Sequence, residues 1–98
     1  MPDPLDLSLL RSFVAVIECG SVLNAAARVG RSQSAVSMQI QRLEQEIGRP
    51  LFRRDGRTLR PNPAGEELLL HARRLLRLSE EAMASLRSQR CLKRNCMG

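Results

Sequence analysis

The sequence predicts a mostly α-helical domain with three short helices, a two-stranded hairpin and a long final helix. Apolar residues recur at spacings of three and four, which is the period of a helix with one buried face. Gly20, Gly30 and Gly48 stand where the first three helical patterns end, and glycine is the commonest residue at such ends. One Asp-Gly pair at 55–56 interrupts the helical pattern and is a strong hairpin signal.

The composition fits one small domain and favours a polyanionic partner. Of 98 residues, 43% are hydrophobic, with no Trp or Tyr and two Phe, so the core must be mainly aliphatic. The net charge is +6, and residues 1–52 contribute nothing to it because their five arginines balance five acids. A basic excess located in residues 53–98 indicates a nucleic acid as partner. A basic surface that only keeps the protein soluble is the alternative interpretation.

The first two helices are predicted from apolar periodicity and capping residues. From Leu5 onward, apolar side chains recur on one face until Gly20, which suits the end of a helix. Ser21 can cap a second helix over residues 22–29. The alanines of this second helix allow another helix to cross it closely, and Gly30 can then close it with a left-handed residue.

The third helix is predicted to begin after a cap at Ser32 and to end at Ile47. Its apolar positions 36, 40, 43 and 47 share one face. The opposite face carries Ser34, Ser37, Met38, Gln41 and Gln45. Two helices joined by a glycine turn, with a hydrogen-bonding outer face on the second, form the layout of a helix-turn-helix that enters the DNA major groove. An ordinary solvated helix surface is the alternative.

Side chains near the start of this helix have the chemistry that base edges require. Gln33 can bond adenine bidentately, while the hydroxyls of Ser34 and Ser37 can bond several base edges. Met38 offers an apolar contact, for example to a thymine methyl group. Arg42 lies one turn further along and can reach the phosphate backbone.

Residues 51–61 are predicted to form a two-stranded wing around the turn at Asp55-Gly56. Its arginines are Arg53, Arg54, Arg57 and Arg60. Because neighbours on a strand point to opposite sides, not all four can face DNA, and we expect Arg54 and Arg57 to do so. In the alternative interpretation, these arginines pair with acids or only solvate the turn. With the wing, the predicted fold is a winged helix-turn-helix.

A long helix over residues 63–88 is predicted to follow, with Asn62 as its cap and Pro63 at its first position. Its heptad-like seam consists of Leu69, Ala72, Leu76, Ser79, Met83 and Leu86. This helix is longer than a three-helix core can cover, so we expect the seam to be a homodimer interface. A helix folded onto its own domain is the alternative. Residues 89–98 lose the periodicity, and we expect a mobile basic tail there.

These features resemble the N-terminal region of LysR-type transcriptional regulators over about residues 5–88. The matching segments are FVAV at 13–16, AAAR at 25–28, SQSAVS at 32–37, QI at 39–40, LE at 43–44 and LFRR at 51–54. The resemblance implies a winged helix-turn-helix at 5–62 and dimers formed through a linker helix at 63–88. It also implies that Gln33, Ser34, Ser37 and Met38 face bases, Arg54 and Arg57 serve the wing, and Ser32 and Arg42 contact the backbone.

The resemblance leads us to expect a cytoplasmic, dimeric regulator that binds double-stranded DNA in a sequence-specific manner. Family members carry a following effector-binding domain, which this sequence lacks, so we expect no small-molecule effector on this chain. The chain is then either a fragment or a natural short protein. We expect no catalytic residues, no cofactor, no metal and no membrane association, since His71 is isolated and no metal-ligand cluster or long apolar run is present.

Three alternatives remain open from the sequence. The chain could be an interaction module that forms mixed dimers with a full-length relative through its final helix. It could be a largely non-specific architectural DNA binder that uses its basic second half. Its first sixty residues also look similar to the winged domain of molybdate-responsive regulators.

Overall fold

The computed structural model describes the backbone of residues 6–97 and the side chains of residues 6–88. Within them the elements follow in the order α1 (Leu7–Cys19), α2 (Val22–Val29), α3 (Gln33–Ile47), β1 (Phe52–Asp55), β2 (Thr58–Pro61) and α4 (Pro63–Met97). The predicted fold, a mostly α-helical winged helix-turn-helix followed by a long helix, is confirmed.

The first three helices begin at side-chain caps and end at left-handed glycines, and the sequence predicts all of these residues except the cap at Asp6. The Asp6 carboxylate accepts from Ser8 N at 2.8 Å, and the hydroxyls of Ser21 and Ser32 each accept from a backbone N–H at 3.1 Å. The closing glycines are Gly20, Gly30 and Gly48. Because each boundary is set by two or three local residues, the sequence alone locates these helices.

The core forms around α1, which packs against the other three helices. Leu10, Phe13 and Val16 of α1 are fully buried, together with Val36 and Leu43 of α3. These contacts use the apolar face that the periodicity of the sequence predicts. They fix which face of α3 turns outward.

The wing is a two-stranded antiparallel hairpin in which Phe52 faces Pro61 and Asp55 faces Thr58. Phe52 anchors it to the core, with its ring centroid 5.4 Å from that of Phe13. At the other strand, Leu59 N donates to the carbonyl of Gly20 at 3.0 Å. The predicted hairpin is therefore present, and both of its strands are attached to α1.

The long helix α4 begins as predicted but continues further than predicted. The amide oxygen of Asn62 accepts from Gly65 N at 2.8 Å, which caps the helix that Pro63 opens. The backbone remains helical to Met97, so the predicted helix end near residue 88 was wrong. No glycine or proline lies between residues 66 and 97 to end the helix. The side chains of 89–97 and Gly98, on which the predicted tail also falls, lie outside the described residues.

The first half of α4 packs on its own domain, and this corrects part of the predicted dimer seam. Ala72 is fully buried in the core of its own chain, as is most of Leu68, so Ala72 cannot contribute to a dimer interface. Leu69 also packs against this core, and Leu76 and Ser79 are half-buried. The physical reason is that α1 lies alongside α4 and covers the face that the heptad spacing selects. In the seam, only Met83 and Leu86 are exposed.

Candidate nucleic-acid interface

The outer face of α3 is open to solvent because the opposite face is used by the core. Val36, Ile40 and Leu43 turn inward. The side chains predicted to meet bases are all exposed, namely Gln33, Ser34, Ser37 and Met38. Met38 is 66% exposed, a large fraction for an apolar side chain within a helix. The surface on which the DNA-binding hypothesis depends is thus free in this chain.

The first turn of α3 combines a cap with free hydrogen-bonding groups. Ser32 Oγ accepts from Ala35 N at 3.1 Å and lies 3.3 Å from Ser34 Oγ. Ser32 Oγ therefore serves the helix as an acceptor, and either of the two hydroxyls can be the donor in the contact between Ser32 and Ser34. Gln33 makes no side-chain hydrogen bond within the described part of the chain.

Arg42 lies one turn beyond Met38 on the flank of α3. Its Nε is 3.5 Å from Glu46 Oε1, an ion pair across one helical turn, and its side chain is 66% exposed. Such exposed pairs contribute little, so Glu46 does not prevent the guanidinium from meeting a phosphate.

A buried hydrogen bond, which sequence reasoning missed, fixes α3 against α1. Ser12 is 2% exposed, and its hydroxyl donates to Gln39 Oε1. A buried hydroxyl without a partner is costly, so this bond favours one rotation of α3 relative to α1. The two residues are 27 positions apart in the chain. No local pattern in the sequence indicates that they meet.

A second set of hydrogen bonds, also missed, holds the base of the wing to α3. Glu44 on α3 accepts from Leu51 N at 2.8 Å, immediately before β1 begins. The backbone N–H of Asn62 donates to the carbonyl of Leu51 at 3.0 Å, and its amide nitrogen donates to the carbonyl of Pro50 at 2.8 Å. These bonds close the base of the hairpin. The bond from Leu51 to Glu44 attaches the wing to the helix that carries the predicted base-reading residues.

The four wing arginines are all exposed, but they differ in their partners. Arg60 Nε lies 3.1 Å from Asp55 Oδ2 across the hairpin. Among the described residues, no acid lies within ion-pair distance of Arg53, Arg54 or Arg57. The structure therefore separates one paired arginine from three that are available to another partner.

The described residues offer little for other kinds of chemistry. No group of three or more potential metal ligands occurs among them. His71 is exposed on α4, and its side chain forms no hydrogen bond with an acidic side chain in the described part of the chain. None of the helices in the described range has both the length and the apolar character needed to cross a membrane.

Comparison with known proteins agrees with this geometry. The family model of the bacterial regulatory helix-turn-helix proteins of the lysR family matches residues 7–66. Over 82 residues, 84% of the chain, the sequence is 52% identical to the HTH-type transcriptional regulator DgdR of Burkholderia cepacia and 51% identical to PecT of Dickeya dadantii. The chain spans about a quarter of the length of these relatives, 28% and 26% respectively.

Solved structures with the same fold include complexes with DNA. The BenM DNA-binding domain bound to catB site 1 DNA superposes with a TM-score of 0.82 at 33% identity, covering 87% of this chain and 94% of that one. The CbnR DNA-binding domain in complex with DNA gives a TM-score of 0.78 at 33% identity, covering 86% and 97%. The match of the family model, the sequence identity to regulators and the shared fold lead to one conclusion: the chain belongs to the LysR family of bacterial transcriptional regulators and carries its helix-turn-helix DNA-binding domain.

Proposed function

We propose that this domain binds duplex DNA in a sequence-specific manner as a homodimer and thereby regulates transcription in the cytoplasm. The observation that carries the proposal is the uncovered outer face of α3, which presents amide and hydroxyl groups at its N-terminal end. An α-helix with such a face fits the major groove, where each base pair displays a distinct set of donors and acceptors. The DNA complexes of BenM and CbnR, which share the fold, support it.

In this proposal, the residues divide into those that read bases and those that hold the backbone. Gln33, Ser34 and Ser37 supply hydrogen bonds to base edges, and Met38 supplies an apolar contact. Ser32 and Arg42 contact the phosphates next to them, because they lie at the edges of that face. These contacts fix the register of the helix in the groove.

The wing supplies further positive charge to the same duplex. Arg54 and Arg57 have no acid within ion-pair distance among the described residues, whereas Arg60 is paired with Asp55. Because the base of the wing is held to α3 through Glu44, the wing and α3 approach one DNA molecule together. Each phosphate neutralised in this way steepens the dependence of affinity on salt.

The dimer contact in this proposal lies on the part of α4 that the core leaves uncovered. Leu75, Leu78 and Leu86 are 39%, 62% and 59% exposed and, with Ala82 between them, recur at spacings of three and four. This line replaces the predicted one at Leu69, Ala72 and Leu76, while Met83 and Leu86 remain candidates. Exposed leucines at helical spacing are typical of a helix that pairs with another helix.

Selection of bound sequences from a random duplex pool tests sequence-specific binding. We expect enrichment of a two-fold symmetric site with a fixed spacing between its halves, because each subunit of a dimer reads one half-site. Bound DNA without any enriched sequence contradicts the proposal and indicates a non-specific architectural binder.

Gln33→Ala sharpens this test. We expect a loss of about 1–3 kcal/mol on the selected site and a relaxed base preference at one position, since a bidentate contact to a base is removed. Gln45→Ala is the matched control for base preference, because Gln45 is also an exposed glutamine of α3 and lies more than three turns away. Competition binding against random duplex measures the specificity ratio, and an unchanged ratio for Gln33→Ala rejects its role in base reading.

Leu78→Glu tests the dimer contact. We expect it to shift the chain from dimer to monomer in sedimentation over a range of protein concentrations, because it places a charge on the proposed contact line. Leu23→Glu is the matched control, since Leu23 is 59% exposed but lies on α2 and not on α4. A dimer that persists in Leu78→Glu places the contact elsewhere. Leu76 is unsuitable for this test because it is half-buried against its own domain.

A further inference from the structure

A groove between the N-terminal end of α1 and the flank of α3 extends beyond the residues assigned to DNA binding so far. Its volume is about 500 Å³. The residues that matter here are Asp6, Ser8, Arg31, Met38, Gln39 and Arg42. We call it the α1–α3 groove. Met38 and Arg42 also belong to the proposed DNA-binding face of α3, so the groove continues that face without a gap.

We propose that the α1–α3 groove holds a segment of the phosphodiester backbone of the same duplex that α3 reads, with Arg31 and Gln39 as additional phosphate contacts. This inference rests on the proposed function, because it places the backbone beside the base-reading face. Its new content is the assignment of Arg31 and Gln39 and of the path that the backbone takes.

Arg31 is well placed to meet a phosphate. It lies in the turn directly before the α3 cap, and its backbone N–H donates to the carbonyl of Ala26 at 3.0 Å, which fixes the base of the side chain. Its side chain is exposed, and none of the described acids lies within ion-pair distance of it. A guanidinium with five donors at the mouth of a groove fits the oxygens of a phosphate.

Gln39 is held with its donor end available. Its Oε1 accepts from the buried hydroxyl of Ser12, so the acceptor half of the amide is used inside the protein. The amide nitrogen carries two hydrogens and makes no hydrogen bond within the described part of the chain, and Gln39 lines the groove. An amide fixed in this way offers N–H groups, which suit a phosphate oxygen and do not suit a cation.

The carboxylate of Asp6, which lines the groove, allows the inference to be tested with a change that should strengthen DNA binding. Asp6 caps α1 by accepting from Ser8 N at 2.8 Å, and its carboxylate also lines the groove. A carboxylate near the path of the backbone repels phosphate, so replacing it with a neutral cap strengthens DNA binding. Asp6→Asn achieves this because asparagine caps helices about as well as aspartate does.

The first experiment measures the affinity of the parent and of Arg31→Ala for the selected duplex as salt is raised from about 50 to 200 mM. Loss of one phosphate contact lowers the salt slope by about 0.9, so the advantage of the parent over Arg31→Ala shrinks about 3.5-fold across this range. Arg11→Ala is the matched control, since Arg11 is an exposed arginine of α1 that lines a different groove, beside Glu18 and Leu76. We expect its slope to equal that of the parent.

Gln39→Glu and Asp6→Asn complete the test with opposite expected signs. Gln39→Glu keeps an oxygen for Ser12 but replaces the donor with a negative charge, so we expect weaker binding to specific and random duplex alike. For Asp6→Asn we expect stronger binding to both. Thermal melting of each variant shows whether the fold is kept. DNA affinities are then compared among variants whose melting temperature equals that of the parent.

The outcomes separate this inference from the proposed function. If the parent enriches a symmetric site but Arg31→Ala and Arg11→Ala have the same salt slope as the parent, the groove does not hold the backbone and the proposed function stands. Unchanged affinity in both Gln39→Glu and Asp6→Asn overturns the inference in the same way. If the parent enriches no sequence, the proposed function fails and this inference fails with it.

Discussion

The three-helix core and the long helix α4 are specified in different ways. In α1, α2 and α3, each start and each end is set by a capping side chain and a glycine within the same few residues. In α4, the start is set by Asn62, but the described helix runs for 35 residues without a stop signal. Local chemistry therefore sets the boundaries of helices, whereas the rest of the fold determines which elements each helix packs against.

The apolar residues of α4 also differ in whether they pack on their own domain. Leu68 and Ala72 complete the core of their own domain, whereas Leu78 and Leu86 are exposed by about three-fifths. Both pairs lie in one continuous helix. Burial therefore follows the side of α4 that packs on its own domain, since Leu70, between the buried Leu68 and Ala72, is 62% exposed.

The largest effect expected from this contrast concerns leucines in the two regions. Leu10→Ala removes a fully buried side chain from the core, and we expect the free energy of unfolding to fall by about 2–5 kcal/mol. Leu78→Ala removes a side chain that is 62% exposed within the chain. We expect it to cost little except through any dimer that it weakens.

Denaturant unfolding at several protein concentrations distinguishes these two cases. The loss in Leu10→Ala should be the same at every concentration, because the contacts removed lie within one chain. The loss in Leu78→Ala should appear only where the parent becomes more stable with concentration, as a dimer does. A large loss in Leu78→Ala at the lowest concentration would show that α4 supports its own domain there.

A smaller effect is expected where α4 meets the wing. A Cβ at Gly65 would lie 2.1 Å from the carbonyl oxygen of Leu51 and 3.0 Å from Cβ of Pro61. Because the first of these is a backbone atom, Gly65→Ala forces α4 away from the wing. We expect a loss of about 1–3 kcal/mol, more than the gain in helix propensity can offset.

Ser85→Ala is the control for this change, because Ser85 is exposed on the same helix and the substitution adds helix propensity without a collision. Thermal unfolding of both variants measures the difference between them. If Gly65→Ala is as stable as Ser85→Ala, the close approach of α4 to Leu51 is not a constraint on the fold.

The sequence allowed prediction of the elements of this fold, because their signals are local. The cap at Ser32, the left-handed end at Gly30 and the turn at Asp55-Gly56 each involve neighbours in the chain, and the structure has all three as predicted. The exposure of Gln33 and Met38 followed from the same periodicity, since the apolar side of α3 had to face the core.

The contacts that position the site were not predictable, because they join residues far apart in sequence. Ser12 meets Gln39 and Glu44 meets Leu51 only after the helices have packed. The seam on α4 failed at Ala72 for the same reason. A heptad pattern shows that a face is apolar, but it cannot show whether the residue opposite belongs to the same chain or to another.

The smallest expected effect concerns the ion pairs that link the core to α4. Glu18 of α1 lies 2.6 Å from Arg28 of α2 and 3.4 Å from Arg73 of α4, and all three side chains are 40–52% exposed. Solvent screens such pairs, so Glu18→Gln should lower the free energy of unfolding by at most about 1 kcal/mol. Glu81→Gln is the control, since Glu81 is exposed and has no ion pair in the described part of the chain.

The salt dependence of this small effect gives it a clear signature. In low salt, Glu18→Gln should be less stable than Glu81→Gln, and the gap should close as salt rises and screens the charges. A gap that persists in high salt would mean that Glu18 holds α4 by hydrogen-bond geometry and not by charge. The core and α4 would then be joined by a specific contact, in addition to the apolar packing around Ala72.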